Sequence, residues 1–260
     1  MTTLSSGQEH NPGARPASEA TEAAAAEHVR DIFTSIAPTY DRLNHLLSFG
    51  LDRRWWRRTA LTFRNTLARP DARVLDLCCG TGDLTAALLA LRPKPESAEP
   101  NAEPITALDF SPEMLRLARS KFPTSQIRWI EADAMHLPFA DNSFDLVTAA
   151  FGFRNLTDYA AGLREIHRVL RPAGRIGILE ANQPSGLAAV LYNPYFKFIL
   201  PLLGGLLSGD RAAYKYLPAS VARFPRPPRM LSLMQQAGFV HPSWDAYLLH
   251  AAGLYRATKP

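Results

Sequence analysis

One stretch of the sequence decides the fold: Val74-Leu75-Asp76-Leu77-Cys78-Cys79-Gly80-Thr81-Gly82-Asp83-Leu84-Thr85. It begins as an apolar run, passes through a Gly-Thr-Gly turn, and continues as an apolar pattern with helical spacing up to Leu91. This order predicts a strand, a tight turn and a helix, which together form the first half of a βαβ unit. Gly80 and Gly82 allow a sharp bend and a close approach to a ligand because they carry no Cβ atom.

Two classes of ligand use a turn of this kind. A dinucleotide pyrophosphate favours a third glycine where the helix packs on the strand, and this chain has Thr85 there. S-adenosylmethionine has no phosphate and requires close backbone approach with polar groups for its amino acid and ribose. The run from Leu75 to Asp83 resembles the first motif of the class I methyltransferases, which implies a cofactor site at Asp76, Gly80 and Gly82. The competing interpretation is an ordinary turn between a strand and a helix.

Strands and helices alternate along most of the remaining chain. This alternation predicts an α/β fold with a mostly parallel seven-stranded sheet and helices on both faces, as in class I methyltransferases. The predicted strands are Arg73–Leu77, Ile105–Asp109, Ile127–Glu131, Phe144–Ala149, Arg175–Glu180 and the closing pair Phe239–Leu248 and Gly253–Thr258. The predicted helices between them are Asp83–Leu91, Pro112–Lys121, Tyr159–Leu170 and Met230–Ala237.

The length of 260 residues suits a single domain with additions. Residues 1–26 are rich in Ser, Gly, Pro, Glu and Ala and are predicted to be a disordered tail. Residues 27–260 are predicted to form a single methyltransferase domain. Helices are expected around Val29–Ile36 and Leu51–Leu67. Proline and glycine break an apolar segment from Pro184 to Gly209, which predicts a helical cap inserted over about residues 184–227.

The composition indicates the compartment of the protein and the kinds of partner that it permits. The two cysteines are adjacent, so they rarely bridge, and a reducing cytoplasm is the natural compartment. No Cys and His set has metal-ligand spacing, and we predict no metal. The sequence contains neither a signal pattern nor an apolar run long enough to span a membrane. The net charge of +5 permits contact with nucleic acid, an anionic membrane or an acidic substrate.

The predicted helix Leu51–Leu67 carries a cluster of arginine and tryptophan residues. It could contact anionic lipids at a membrane interface. It could also stack on single-stranded RNA. In the third interpretation, one tryptophan packs in the core and the arginines are simply solvated. The cluster comprises Arg53, Arg54, Arg57 and Arg58 around Trp55 and Trp56.

Carboxylates follow two further predicted strands. Asp109 ends the second strand, where it could accept hydrogen bonds from both ribose hydroxyls; the alternative is a carboxylate that caps a turn or helix. Asp133 follows the third strand and could accept the adenine amino group, with Met135 against the ring. Because parallel strands end at one edge, these groups converge with Asp76 and Gly80 on one crevice.

Further motifs carry a resemblance to a known family. They are Tyr40 with Asn44, Leu47-Ser48 and Gly50, the turn Cys79–Asp83, the run Phe151-Gly152-Phe153-Arg154-Asn155-Leu156-Thr157-Asp158, the run Arg168-Val169-Leu170-Arg171-Pro172-Ala173-Gly174, Tyr192 with Pro201 and Gly204, and the run Ser208–Leu217. With these motifs, the chain resembles the menaquinone/ubiquinone biosynthesis C-methyltransferases from about Val29 to Lys259. The sequence departs from the family at Ala150, where serine is usual, and at Ala173, where glycine is usual.

The resemblance implies roles for two sets of residues. Thr81, Asp109, Asp133 and Ala134 would bind S-adenosylmethionine. Tyr40, Arg154 and Asn155 would lie beside the ring of a quinol. Arginine is a poor base because guanidinium keeps its proton, so Arg154 is expected to stabilise a developing phenolate by its charge. The competing interpretation of Arg154 is a surface salt bridge to Asp158. The quinol-side residues are Tyr40, Arg154 and Asn155.

The leading hypothesis is therefore C-methylation of a prenylated quinol, most directly demethylmenaquinol to menaquinol. A benzoquinol of the ubiquinone pathway, an RNA methyltransferase and a fold that only binds a ligand are the alternatives. No basic stripe or RNA-binding module is evident, so nucleic acid is not an expected partner. The expected partners are the prenylated quinol, the inner face of the cell membrane as a peripheral contact, and a second copy of the chain.

Overall fold

The computed structural model describes residues 27–35, 50–93, 103–183, 211–248 and 250–260, together with Gly13, Ala24, Ala37 and Ser48. Within 211–217 only the backbone is described, except at Tyr216. Tyr40 and the predicted cap segment Pro184–Gly209 lie outside these residues, as does almost all of the predicted tail. The boundaries proposed for the tail, the domain and the cap remain predictions.

Helices and strands alternate as the sequence predicts. In the described ranges the helices are α1 (residues 27–35), α2 (Leu51–Thr62), α3 (Arg64–Leu67), α4 (Asp83–Leu89), α5 (Pro112–Lys121), α6 (Tyr159–Val169), α7 (Arg211–Arg223) and α8 (Pro227–Gln236), and Phe153–Asn155 forms a 3-10 turn. The strands are β1 (Val74–Leu77), β2 (Ile105–Asp109), β3 (Ile127–Glu131), β4 (Phe144–Ala150), β5 (Leu170–Ala181), β6 (Val240–Tyr247) and β7 (Ala252–Thr258).

The strands form one seven-stranded sheet in the order β3-β2-β1-β4-β5-β7-β6. Strands β1 to β5 are parallel, whereas β7 runs antiparallel to both β5 and β6. The strand order reverses at β1, which pairs with β2 on one side and β4 on the other. The predicted α/β fold is confirmed, and the reversal creates a crevice at the carboxyl ends of these strands.

Helices cover both faces of the sheet because successive strand residues point to opposite sides. Val147 and Ile178 belong to a core cluster on the face of α6 and α8, while their neighbours Leu146 and Leu179 belong to a second cluster on the face of α2 and α4. Strands buried on both faces read as continuous apolar runs, which is the pattern of Val74–Leu77 and Ile105–Asp109 apart from their buried polar residues.

Most elements lie within three residues of their predicted bounds, and two differ more. The predicted helix Leu51–Leu67 is interrupted at Phe63, whose ring is fully buried, so that α2 and α3 are separate. Strand β5 begins at Leu170 instead of Arg175, because the chain passes from α6 into the sheet before the Pro-Ala-Gly turn. In that turn Ala173 has a φ of 63°, a backbone conformation that favours the glycine usual in the family.

Candidate active site

The turn after β1 has the backbone that its glycines predict. Gly80 and Gly82 have φ values of 54° and 89°. A Cβ atom on Gly82 would lie 2.7 Å from the ring of Trp129, whereas a Cβ on Gly80 would meet no atom within 4 Å. The space in front of Gly80 is therefore open to a ligand, and Gly82 forms the N-cap of α4.

Asp109 ties two strand ends together. Its Oδ2 accepts a hydrogen bond of 2.8 Å from the N–H of Gly80, and its Oδ1 accepts one of 2.9 Å from the N–H of Ser111. Burial raises the pKa of Asp109, and the N–H groups of Ser111, Gly80 and Phe110 oppose that rise. Asp109 therefore does hold a turn, as the alternative interpretation proposed. A carboxylate has about four lone-pair sites, so it keeps capacity to accept a hydrogen bond from a ribose hydroxyl.

Asp76 lies beneath the turn and is completely buried. Its oxygens accept hydrogen bonds from the hydroxyls of Thr85 at 2.6 Å and Thr148 at 2.8 Å. Burial raises the pKa of Asp76 to about 7, although both hydroxyls oppose the rise. Thr85, which replaces the third glycine of a dinucleotide motif, therefore links α4 to β1 through this carboxyl group.

The raised pKa of Asp76 predicts a fall in stability as the pH rises. An aspartate has an ordinary pKa of 3.8, so between about 4 and about 7 the folded chain retains a proton that the unfolded chain loses. Ionising Asp76 should cost on the order of 4 kcal/mol of unfolding free energy across that window. We expect Asp76→Asn to flatten this dependence, as measured by urea denaturation at successive pH values.

A change at an exposed carboxylate provides the control for Asp76. The Asp141 side chain is 68% exposed, and Asp141→Asn should leave the slope of stability against pH close to that of the wild type. If Asp76→Asn and the wild type gave the same slope, the ionisation of Asp76 would not be linked to folding.

The carboxyl ends of β1 to β4 enclose a cavity of about 400 Å³, within the range of small-molecule sites. Gly80, Asp109, Asp133, Ala134 and Asn155 line it, so it brings predicted cofactor-side and quinol-side residues together. An adjoining cavity of about 40 Å³ is lined by Asp76, Gly80 and Thr81. An open glycine turn, a buried carboxylate and apolar walls fit the ribose and adenine of S-adenosylmethionine. Val29 and Phe33 also line the larger cavity, so α1 lies against it.

Two cofactor-side residues have different surroundings. The Asp133 side chain is exposed, with its Oδ1 accepting a hydrogen bond of 2.9 Å from the N–H of Met135. Ala134 is buried beside it. Thr81 is also buried, and its hydroxyl lies 3.4 Å from Oδ2 of Asp83. Asp133 thus keeps accessible lone pairs at the edge of the cavity, where an amino group could donate to them.

Arg154 is buried, and its partner is Glu180 at the end of β5. The Nη1 atom lies 2.7 Å from Oε1 of Glu180, and both side chains are at most 5% exposed. The guanidinium also donates to the carbonyl of Phe151 and to the hydroxyl of Ser220. The surface salt bridge to Asp158 considered from sequence is not present, because Asp158 caps α6 by accepting a hydrogen bond from the N–H of Ala161.

Glu180 holds the backbone of Arg154 as well as its side chain. Its Oε2 accepts a hydrogen bond of 3.1 Å from the N–H of Arg154, and its Oε1 accepts one of 2.9 Å from the N–H of Ala181. Sequence reasoning missed Glu180. The available signal was a single carboxylate at the end of the apolar strand Ile176–Leu179, where a buried acid requires a cationic partner.

Asn155 is the quinol-side residue that lines the described cavity. Its Oδ1 accepts a hydrogen bond of 3.1 Å from the hydroxyl of Tyr216 on α7. This contact uses the side-chain oxygen of Asn155, and the side-chain amide nitrogen can act as a hydrogen-bond donor to a ligand. The loop that carries it passes very close to β1, since a Cβ atom on Gly152 would lie 2.3 Å from the Cβ of Cys78. The loop after β4 is therefore held from β1, β5 and α7 together.

The two cysteines are small, partly buried groups. Burial and the nearby Asp109 and Asp76 raise the pKa of both thiols well above the ordinary 9.0. Cys78 and Cys79 consequently stay protonated near neutral pH and are poor nucleophiles.

A model of the ubiE/COQ5 methyltransferase family matches residues 21–259. A demethylmenaquinone methyltransferase of Deinococcus radiodurans is 47% identical over 89% of this chain and 92% of the relative. One of Thermus thermophilus is 47% identical over 80% and 91% of the two chains. A protein of Geotalea daltonii named ubiquinone/menaquinone biosynthesis C-methyltransferase UbiE is 41% identical over 90% and 97%.

Solved structures share the fold at much lower identity. A methyltransferase described as S-adenosylmethionine-dependent from Thermotoga maritima superposes with a TM-score of 0.61 at 19% identity, covering 90% of this chain and all of that one. The [4+2]-cyclase SpnF gives the same TM-score at 21% identity, covering 90% and 97%. Because one of these two is a cyclase, the fold alone does not define the reaction.

Proposed function

The chain belongs to the ubiE/COQ5 methyltransferase family, and from this membership we infer that it catalyses the S-adenosylmethionine-dependent C-methylation of demethylmenaquinol in menaquinone biosynthesis. Relatives named demethylmenaquinone methyltransferase match most of the chain at up to 47% identity, which supports this substrate over a benzoquinol. The observation that carries the inference is the cavity that joins the Gly80 turn and Asp109 to Asn155.

Different residues of the chain would bind different parts of S-adenosylmethionine. When bound, S-adenosylmethionine supplies an electrophilic methyl group. We propose that Asp109 holds the ribose hydroxyls, that Asp133 accepts from the adenine amino group, and that Ala134 packs on the ring. The turn at Gly80–Gly82, with Thr81 and Asp76 around the smaller cavity, would hold the amino-acid end. Alignment of the methyl donor with the acceptor carbon is the main demand on the protein.

On the quinol side, Asn155 is the residue proposed to contact the ring. Its amide nitrogen can donate to a quinol oxygen, because the Tyr216 hydroxyl already occupies its carbonyl. A donor there favours the phenolate that makes the neighbouring ring carbon nucleophilic. Tyr40 lies outside the described residues, and its place beside the ring stays a prediction.

The placement of Arg154 changes the role that we propose for it. Its charge is compensated by Glu180, so it exerts less field on a substrate than an unpaired guanidinium. We propose that it chiefly positions the loop from Phe151 to Asn155, because it donates to the carbonyl of Phe151. It would thus set the position of the Asn155 amide.

A polyprenyl tail makes the proposed substrate a membrane component. None of the helices that the structure describes is both long and apolar enough to cross a membrane. From the apolar tail of the substrate and the adjacent cysteines, we propose a cytoplasmic protein that meets the substrate at the inner face of the membrane through a peripheral contact. A homodimer stays a prediction.

A mass-spectrometric assay tests the proposed function. Purified protein is incubated with S-adenosylmethionine and chemically reduced demethylmenaquinone, beside a demethylated benzoquinol and the oxidised naphthoquinone. We expect a methyl gain on the reduced naphthoquinol only. Cofactor binding without methylation of either ring would favour a ligand-binding protein, and equal turnover of the oxidised quinone would contradict a mechanism through a phenolate.

A further inference from the structure

The exposed side of α2 is a basic surface. Arg53, Arg54, Arg57 and Arg58 are all exposed and follow one another at helical spacing, while Asp52, Thr59 and Ala60 on the opposite side are buried. Leu61 extends the same side by one turn and is 42% exposed. We call these five exposed residues the arginine face of α2.

Among the residues that the structure describes, no acid forms an ion pair with the arginine face. Within the described ranges, Arg53, Arg54 and Arg57 form no ion pair with a carboxylate. Exposed arginines elsewhere often do, as in Arg30 with Glu131 and Arg116 with Glu113, each at 2.7 Å. An uncompensated row of guanidinium groups creates a positive potential that attracts an anionic surface.

The arginine face also carries exposed apolar side chains. The guanidinium of Arg58 lies 4.2 Å from the ring centroid of Tyr247. Leu61 is one turn beyond Arg58, and Leu248, which is 47% exposed, follows Tyr247 directly. Only one other large apolar residue among those described, Val240, is comparably exposed. Basic groups flanked by exposed leucines are typical of protein surfaces that lie on anionic membranes.

The start of α2 lies at the edge of the sheet that holds the active site. The ring of Trp55 is 5.9 Å from that of Phe151, which lines the large cavity. Trp56 lines the small cavity with Thr81. Directly after the other end of the helix, the ring centroid of Phe63 lies 4.8 Å from the guanidinium of Arg175 in β5. The first two turns of α2, which also carry Arg53, Arg54, Arg57 and Arg58, therefore pack through their tryptophans against residues that line the two cavities.

We propose that the arginine face of α2 binds anionic phospholipid headgroups and so places the active-site cavity against the membrane. This inference rests on the proposed function, because a prenylated quinol lies in the bilayer. RNA is the less suitable partner: Trp55 and Trp56 are half-buried and pack on the core, so they do not offer open faces for stacking bases.

Vesicle flotation tests this proposal with the full chain. The wild type should bind vesicles of phosphatidylcholine with phosphatidylglycerol, and binding should fall with added salt and be absent with phosphatidylcholine alone. The triple variant Arg53→Gln/Arg54→Gln/Arg57→Gln should bind the anionic vesicles at least ~tenfold more weakly. The matched control Arg119→Gln/Arg128→Gln/Arg164→Gln removes three exposed arginines that lie on α5, β3 and α6, outside the arginine face, and should bind as the wild type does.

Measurements of turnover distinguish membrane binding by the arginine face from methylation in the active-site cavity. The α2 triple variant should methylate a short-tailed, water-dissolved demethylnaphthoquinol at the wild-type rate, but lose activity towards long-tailed quinol in anionic vesicles. Equal vesicle binding by the wild type and the triple variant would overturn the proposal. Salt-sensitive binding to single-stranded RNA without vesicle binding would also overturn it. If the wild type fails on the short-tailed quinol while it still binds vesicles, the proposed function fails and the docking surface stands.

Discussion

Replacing Glu180 with alanine should lower the unfolding free energy by about 3–5 kcal/mol, because it leaves the guanidinium of Arg154 buried without its counter-charge. Glu180 is fully buried and is the carboxylate paired with Arg154 at 2.7 Å. The variant also removes the carboxylate that accepts hydrogen bonds from the N–H groups of Arg154 and Ala181. Quinol methylation should fall at least ~tenfold, since the loop that carries Asn155 loses its anchor. Urea denaturation and the mass-spectrometric assay measure the two effects.

A second change distinguishes the buried charge from simple loss of packing. Adding Arg154→Met to Glu180→Ala removes the uncompensated charge and should recover part of the lost stability. The double variant should stay poorly active, because the contact of Arg154 with the carbonyl of Phe151 is also gone. Wild-type stability in Glu180→Ala alone would show that this ion pair does not hold the loop.

Replacing Asp109 with alanine should weaken S-adenosylmethionine binding by at least ~100-fold. Hydrogen bonds to a charged group contribute about 1.5–3 kcal/mol each, and the variant loses those proposed for two ribose hydroxyls. It also loses the 2.8 Å contact that holds the Gly80 N–H in the turn. Isothermal titration calorimetry of the purified variant with S-adenosylmethionine measures the dissociation constant directly.

The neighbouring strand provides a matched control for Asp109. Glu131 pairs with Asp109 in register at the end of β3, but its side chain is exposed and bound to Arg30. Glu131→Gln should therefore change the dissociation constant by less than ~threefold, since a surface ion pair contributes little. Similar affinities in Asp109→Ala and the wild type would remove Asp109 from the cofactor site.

Much of the candidate site was predictable because its signals are local. The turn Gly80–Gly82 follows from two glycines between an apolar run and a helical pattern. The position of Asp109 follows from the end of β2, whose bounds were predicted correctly. Parallel strands end at one edge, so these groups meet in the cavity. The contacts of Arg154 were not predictable in the same way, since its sequence neighbour Asp158 was the nearest acid and proved to be a helix cap.

The sequence by itself determined the α/β order, the mostly parallel sheet and the edge at which ligand groups collect, because side-chain periodicity and turn residues act over a few positions. Only the tertiary structure decided which buried groups become partners. Thr148 reaches Asp76 across 72 positions, and Glu180 reaches Arg154 across 26. Such pairs depend on strand order and on the desolvation of charge, which arise only when β1, β4 and β5 lie side by side.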